Sequence, residues 1–141
     1  MRYDCVIIGG GLSGLTCGIR LAENGARCAV ISTGMSALHF SSGSIDLFGN
    51  EGEGKIVFRP FEYLEKFIGS NPLHPYARCG SSRVREALFY FRDQLDLEDI
   101  DLYNNDDANH FHVTTLGTLK PTFFSQRYSR ASTPDQGRPH S

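Results

Sequence analysis

The sequence predicts an α/β protein that begins with a strand–helix–strand (βαβ) unit. Residues 5–8 (CVII) and 28–31 (CAVI) are short apolar runs of the kind found in parallel strands buried on both faces. A glycine-rich turn at residues 9–14 follows the first run, and a helical pattern connects this turn to the second run. Because the two strands are joined by a helix, we expect them to lie parallel.

The predicted helix carries a single apolar stripe. Its apolar residues recur at intervals of three and four: Leu12, Leu15, Ile19 and Ala22. We expect this stripe to pack on the strands. Asn24-Gly25 ends the helix, because glycine readily adopts the left-handed conformation that follows a helix C-terminus.

Periodicity is weaker beyond the βαβ unit. Residues 34–54 are rich in Gly and Ser and are predicted to be mostly loop. A helix is predicted over residues 61–67, and a longer one is expected to begin at a capping serine, Ser81 or Ser82. The apolar face of that longer helix comprises Val84, Ala87, Leu88, Phe91 and Leu95.

Short strands are predicted at residues 56–58, 111–113 and 122–124. An acidic stretch between residues 96 and 107 is predicted to be a solvated loop. We therefore expect residues 1–126 to form one Rossmann-like nucleotide-binding domain.

Residues 127–141 have a different composition. Only Tyr128 and Ala131 are hydrophobic, and three arginines stand against one aspartate. A segment this polar buries too little apolar surface to offset the entropy of ordering, so we predict a disordered tail. Deleting it should leave folding unaffected.

The overall composition narrows the functional classes. The chain has 141 residues, 40% of them hydrophobic and 21% charged, with a formal net charge of −2. This balance gives no attraction to nucleic acid or to an anionic membrane. The four cysteines show no CxxC spacing, which argues against a metal site and favours reduced, buried, structural thiols in an intracellular compartment.

The glycine turn carries the strongest functional signal. Gly9, Gly11 and Gly14 fit the pattern G-x-G-x-x-G between a strand and a helix, the context that a dinucleotide-binding turn requires. Gly9 permits the tight turn, Gly11 leaves room for a pyrophosphate, and Gly14 lets the helix pack closely. The backbone N–H groups from Leu12 through Ser13 to Gly14 then point at the phosphates.

Ser32 bears on which nucleotide binds. It stands 23 residues after Gly9, where dinucleotide sites usually carry an Asp or Glu that accepts from the adenosine ribose. A hydroxyl lacks the strength of a charge-assisted hydrogen bond, so NAD is disfavoured, and no adjacent Arg or Lys supports NADP. We therefore expect a flavin nucleotide. FMN is preferred because it has no adenosine ribose, and FAD is the alternative.

The loop at residues 36–44 is the second candidate segment. Its small residues allow it to lie against a planar ring. The unperturbed pKa of a histidine side chain lies near neutrality, so His39 is a candidate to relay a proton or bond to a flavin. The alternative for His39 is a loop histidine with a backbone partner. His74, His110 and His112 show no metal-ligand spacing and are interpreted as structural.

With these segments, the chain closely resembles the amino-terminal part of the B subunit of bacterial anaerobic glycerol-3-phosphate dehydrogenase. The resemblance is carried by residues 9–14, Ser32 and residues 37–44, with further matching patches at residues 74–76 and 115–119. It implies an enzyme complex that oxidises sn-glycerol 3-phosphate to dihydroxyacetone phosphate. Electrons pass through flavins and a membrane-associated iron–sulfur C subunit to quinone, and then to fumarate or nitrate.

The same resemblance implies partners, cofactor contacts and location. The B subunit would carry FMN beside an FAD-containing A subunit, in a complex that is cytoplasmic and peripheral to the inner membrane through its partner subunits. Ser41, Ser42 and Gly43 would lie near the isoalloxazine. Family members also carry Ser or Thr near position 32, so Ser32 is not a departure.

Length is the departure from the family. Its members have several hundred residues, and a later glycine-rich segment completes their flavin pocket. That segment is absent from this sequence, so the domain is expected to be incomplete, as in a truncated or frameshifted gene.

Three functional hypotheses remain at this point. The first is a flavin-binding subunit, or a fragment of one, in the glycerol-3-phosphate-oxidising complex, without an assigned catalytic acid or base. The second is a non-enzymatic remnant that binds at most a nucleotide or a partner. The third is an NAD-binding module, which Ser32 disfavours.

Overall fold

The computed structural model describes residues 1–126. The contacts between residues divide the chain into a first unit, Met1–Ser42, and a second unit that begins at Gly43. The predictions for residues 127–141 lie outside the described residues.

The first unit is the predicted βαβ unit. Strand β1 spans Cys5–Ile8, helix α1 spans Leu12–Glu23 and strand β2 spans Cys28–Ile31. The two strands pair in parallel, with Cys5 opposite Cys28 and Ile8 opposite Ile31. Both predicted strands and the helix are therefore confirmed, and Gly25, with a φ of 82°, follows the helix end as expected.

The apolar stripe of α1 is not buried as predicted. Leu12, Leu15 and Ile19 are each 37–44% exposed, whereas Gly18 is buried against the strands. A Cβ on Gly18 would lie 3.1 Å from Ile7 Cδ1, so it is the glycine face that approaches β1. The stripe stays partly in solvent because only two strands lie against the helix in this unit.

The described part of the second unit, up to residue 126, contains three α-helices and seven short strands. The helices are α2 (Pro60–Ser70), α3 (Pro75–Cys79) and α4 (Ser81–Asp96). The strands are β3 (Ser44–Ile45), β4 (Asn50–Glu51), β5 (Lys55–Ile56), β6 (Leu102–Tyr103), β7 (His110–Val113), β8 (Leu119–Thr122) and β9 (Phe124–Gln126). β9 pairs antiparallel with both β3 and β6, while β4–β5 and β7–β8 are antiparallel pairs.

A small apolar core holds this unit together. Its buried residues come from α2, from β6 and from the loops and strands around β9: Leu47, Phe61, Leu64, Leu102, Phe123 and Phe124. Val84, Leu88 and Leu95 of α4 pack against this core as predicted, but Ala87 is exposed. The predicted serine cap is wrong, because Gly80 occupies the N-cap position with a φ of 82° and Ser81 is the first helical residue.

Burial does not follow hydrophobicity in β7, and the cysteines are more exposed than predicted. In β7 the buried residue is His112, whereas Val113 is 41% exposed, so a polar side chain occupies the inward face of this strand. The thiols are free but not buried: Cys17 and Cys79 are exposed, and Cys5 and Cys28 are half-buried. Within residues 1–126, no helix has both the length and the apolar character needed to cross a membrane.

Candidate functional site

The glycine turn joins the carboxyl end of β1 to the start of α1. Gly9 has a φ of 102°, which a residue with a Cβ adopts only under strain, and its N–H donates to Ile31 O of β2 at 2.8 Å. Gly11 is the N-cap residue of α1 and has extended backbone, with φ −75° and ψ 174°. The turn therefore lies at the carboxyl ends of two parallel strands, where nucleotides bind in open α/β sheets.

The start of α1 is equipped to bind an anion. The first N–H groups of a helix have no partner within the helix, and no side chain caps this one. Its first turn, which includes Leu12, Ser13 and Gly14, contains no acidic residue to repel a phosphate. The helix dipole adds a partial positive charge at the same end.

The three glycines of the motif differ in what surrounds them. Among residues 1–126, a Cβ on Gly9 or Gly11 would meet no atom within 4 Å beyond its neighbours in sequence, so packing of these residues does not explain glycine at position 11. A Cβ on Gly14 would lie 2.5 Å from Gly9 O and 3.2 Å from Ile7 Cγ2. Gly14 is thus required by the fold, whereas Gly11 leaves open space in front of the helix. This space and the uncapped N–H groups fit the phosphates of a nucleotide cofactor.

Ser32 lies beside this turn. Its hydroxyl donates to Gly34 O at 2.9 Å, so the side chain is held within its own loop. A Cβ on Gly10 would lie 3.6 Å from Ser32 Oγ and 3.7 Å from Ser36 Cβ. Gly10 and Ser36 therefore adjoin the site, although the sequence motif did not single them out.

Ser36 also carries a local signal that the glycine motif does not include. It has a φ of 59°, and its Oγ accepts from Leu38 N at 3.4 Å, which caps a short 3₁₀ helix, Ala37–Phe40. Serine, with its short polar side chain, often bonds to nearby backbone in turns, and this is the signal that could have identified it.

His39, Ser41, Ser42 and Gly43 are placed as follows. His39 lies exposed in the 3₁₀ helix, with its ring 5.0 Å from that of Phe40. Ser41 and Ser42 are exposed at the end of the first unit. Gly43 opens the second unit with a φ of 68°, which accounts for glycine there, and a Cβ would lie 2.8 Å from Gln126 Oε1. Their assignment to a flavin stays a prediction.

The comparison with known sequences decides the family. Residues 4–140 match the FAD binding domain family. The chain belongs to that family. A flavin cofactor is thereby supported, and the family indicates FAD rather than the FMN that was expected from Ser32.

Curated relatives carry a common name. The chain is 46% identical over 125 residues to the anaerobic glycerol-3-phosphate dehydrogenase B subunit of Pectobacterium atrosepticum, which is 89% of this chain and 30% of that protein. It is 43% identical over 129 residues to the same subunit of Aliivibrio fischeri, covering 91% of this chain and 28% of the relative. For Vibrio cholerae the identity is 40%, covering 91% and 30%. These relatives confirm the resemblance seen in the sequence.

This chain corresponds to only one part of each relative. The chain spans about 30% of the length of these relatives. No solved structure matches. The family and the relatives' names together support a flavin-binding dehydrogenase subunit.

Proposed function

We propose that this chain binds FAD as part of the B subunit of an anaerobic glycerol-3-phosphate dehydrogenase. The observation that carries the proposal is the glycine turn, where Gly11 faces open space in front of the uncapped start of α1. Membership in an FAD binding family supports the nucleotide, and the relatives' names support the dehydrogenase.

In this proposal the pyrophosphate of FAD lies at the turn. The N–H groups of Leu12, Ser13 and Gly14 would donate to phosphate oxygens, and the helix dipole would stabilise their negative charge. Ser32 would offer a hydroxyl to the adenosine ribose in exchange for its bond to Gly34 O. His39, Ser41 and Ser42 are the residues of the first unit proposed to lie near the isoalloxazine.

The bound flavin would supply a two-electron acceptor for the oxidation of sn-glycerol 3-phosphate to dihydroxyacetone phosphate. The residues of this chain bind and orient the cofactor, and none is assigned as acid or base. We further propose that electrons leave through the A and C subunits toward quinone, and then to fumarate or nitrate. Those partners would hold the complex, itself cytoplasmic, at the periphery of the inner membrane.

A second candidate function is nucleotide or partner binding without catalysis. The observation that favours it is that this chain matches only part of each relative, because about 70% of each relative lies outside the matching part. Under this alternative the chain binds FAD or a partner but does not reduce the flavin with glycerol 3-phosphate.

The test compares the flavin content of matched variants. The purified chain is examined by visible absorption, and the released cofactor is identified by mass. We expect FAD in the wild type and at least a tenfold loss in Gly11→Val, whose side chain fills the phosphate space. Gly52→Val is the control, because a Cβ at Gly52 also meets no atom within 4 Å but lies in the second unit.

Two results bear directly on the alternatives. Bleaching of the bound flavin by glycerol 3-phosphate supports the dehydrogenase, and bound flavin that does not respond supports binding alone. Unchanged flavin content in Gly11→Val contradicts the proposed site.

A further inference from the structure

Two cysteines lie side by side at the amino ends of the two parallel strands. The register of the β1–β2 pair sets Cys5 directly opposite Cys28. Ile7 and Val30 face α1, since a Cβ on Gly18 would lie 3.1 Å from Ile7 Cδ1 and 3.9 Å from Val30 Cγ2. Side chains two residues apart on a strand point to the same side, so both thiols also face α1. The two sulfur atoms therefore share one face of the sheet.

The spacing of this cysteine pair suits a disulfide. Paired strands lie about 4.8 Å apart, and the Cα atoms of disulfide-bonded cysteines are separated by about 4.4–6.8 Å. Both thiols are free and half-buried. The Cys28 thiol donates a hydrogen bond to Ala26 O at 3.8 Å, and because thiols are weak donors its loss costs little. The backbone spacing therefore allows an S–S bond once the side chains rotate toward each other.

The surroundings of Cys28 determine which thiol reacts first. Burial, followed by the nearby thiols of Cys5 and Cys17 and by Asp4, raises the pKa of the Cys28 thiol. The thiolate is the form that attacks an oxidant, and a raised pKa keeps Cys28 protonated near neutral pH. We therefore expect Cys5 to react first and Cys28 to react second.

We propose that Cys5 and Cys28 form a redox modification site, which hydrogen peroxide converts into an intramolecular disulfide. The Cys5 thiolate attacks one peroxide oxygen, which breaks the O–O bond and leaves a sulfenic acid. The Cys28 sulfur then attacks the Cys5 sulfur, so that the S–S bond forms and water leaves. In total the two thiols each lose one hydrogen, and one molecule of hydrogen peroxide is reduced to two molecules of water.

The disulfide would fasten the first unit. It closes a loop that contains both the glycine turn and α1, and such a cross-link restricts the opened state of the chain. The bond lies at the amino ends of the strands, whereas the glycine turn lies at their carboxyl ends, so the proposed FAD site stays accessible. This inference goes beyond the proposed function and does not depend on flavin binding.

The test treats the reduced full chain with hydrogen peroxide, counts free thiols and maps disulfide-linked peptides by mass. We expect the four free thiols of the wild type to fall to two, with Cys5 linked to Cys28, and dithiothreitol to restore all four. Cys28→Ala should form at least tenfold less intramolecular disulfide. Cys79→Ala is the matched control, because the Cys79 thiol is exposed in the second unit, and it should behave like the wild type.

Further variants and conditions separate the folded geometry from misfolding and from general reactivity. Cys5→Ala, which also keeps a small apolar side chain, should lose the disulfide, whereas Cys17→Ala should retain it. Wild type unfolded in urea should show no preference for the Cys5–Cys28 pair, because the preference comes from the strand register. Amide exchange in α1 should slow about tenfold or more on oxidation of the wild type, but not of Cys28→Ala.

Several results would overturn the inference. Disulfides that map to Cys17 or Cys79 would remove the assignment to the strand pair, as would the same mixture of disulfides in folded and unfolded chain. Oxidation that dithiothreitol does not reverse would show sulfinic acid in place of a disulfide. A Cys5–Cys28 disulfide that leaves the exchange of α1 unchanged would contradict the fastening of the first unit.

Discussion

Replacing Gly14 with alanine should destabilise the first unit, even though alanine is the better helix former. The new Cβ would lie 2.5 Å from Gly9 O and 3.2 Å from Ile7 Cγ2. Because Gly9 O is a backbone atom of the tight turn, no side-chain rotation relieves the contact. The turn itself must move, and with it the N–H groups proposed to hold phosphate.

The magnitude follows from two opposing contributions. Overpacking costs about 1–3 kcal/mol, and the gain in helix propensity from Gly to Ala is at most about 1 kcal/mol. We therefore expect Gly14→Ala to lower the free energy of opening of α1 by about 1 kcal/mol.

Two other helical glycines separate the contributions. At Gly69 in α2 a Cβ meets no atom within 4 Å, so Gly69→Ala should show the propensity gain alone, about 0.5–1 kcal/mol. At Gly18 the nearest atom is Ile7 Cδ1 at 3.1 Å, the end of a flexible side chain that can rotate away. Gly18→Ala should fall between the other two.

Amide hydrogen exchange is the appropriate assay, because it reports the free energy of opening of α1 and α2 separately. The quantity to compare is the change in protection of the altered helix relative to the same helix in the wild type. This change should be largest and positive for Gly69→Ala, smaller for Gly18→Ala, and negative for Gly14→Ala. If α1 in Gly14→Ala is as well protected as α1 in the wild type, the contact between this Cβ and Gly9 O does not destabilise the helix.

Three further predictions concern the core, the pH response and the ribose site. Leu64→Ala should cost about 2–5 kcal/mol of unfolding free energy because Leu64 is fully buried. Leu73→Ala should change it by less than about 0.5 kcal/mol because Leu73 is 82% exposed; equal effects in urea unfolding would contradict the described core. Burial, and secondarily the charge of Lys120, lower the pKa of His112 below its ordinary value of 6.5. Because the unfolded chain then binds a proton more readily than the folded one, the contribution of His112 to the free energy of unfolding should be complete above pH 6.5 and should be lost as the pH falls below it. In His112→Gln, the urea midpoint should fall less between about pH 7.5 and 5.5 than it does in the wild type. An unchanged slope of the midpoint against pH would contradict the assignment of this pH dependence to His112. Ser32→Ala should weaken FAD binding about two- to tenfold through loss of one neutral hydrogen bond, and a loss above about a hundredfold by titration would show a larger role.

The first unit could be predicted closely because its signals are local. Residues 5–8 and 28–31 are uncharged apolar runs, and Gly9 and Gly25 mark the turns that follow a strand and a helix. The strand bounds therefore agree with the structure. The burial of α1 was not predictable in this way, since it depends on how many strands lie beneath the helix.

The second unit was harder to predict because distant residues stabilise it. β3 pairs with β9 through Ser44 and Ser125, which lie far apart in sequence. Asn109 is buried, and its amide donates to Leu47 O at 3.2 Å and to Val57 O at 2.7 Å. A polar residue in such a position gives no periodic signal, and neither does the buried His112.

The candidate site was predicted in part. The sequence motif identified Gly9, Gly11 and Gly14, whose geometry supports a phosphate site. Gly10 and Ser36 lie within the two candidate segments but were not singled out, because their proximity to Ser32 depends on how the loop after β2 folds back.

In the proposed site, the start of α1 holds the pyrophosphate of FAD. This placement is tested most directly by titrating the isotopically labelled chain with FAD and following the backbone amide resonances. We expect the largest shifts at Gly11, Leu12, Ser13 and Gly14, and we expect Gly11→Val to abolish them. Shifts confined to other residues, or equal shifts in the variant, would contradict it.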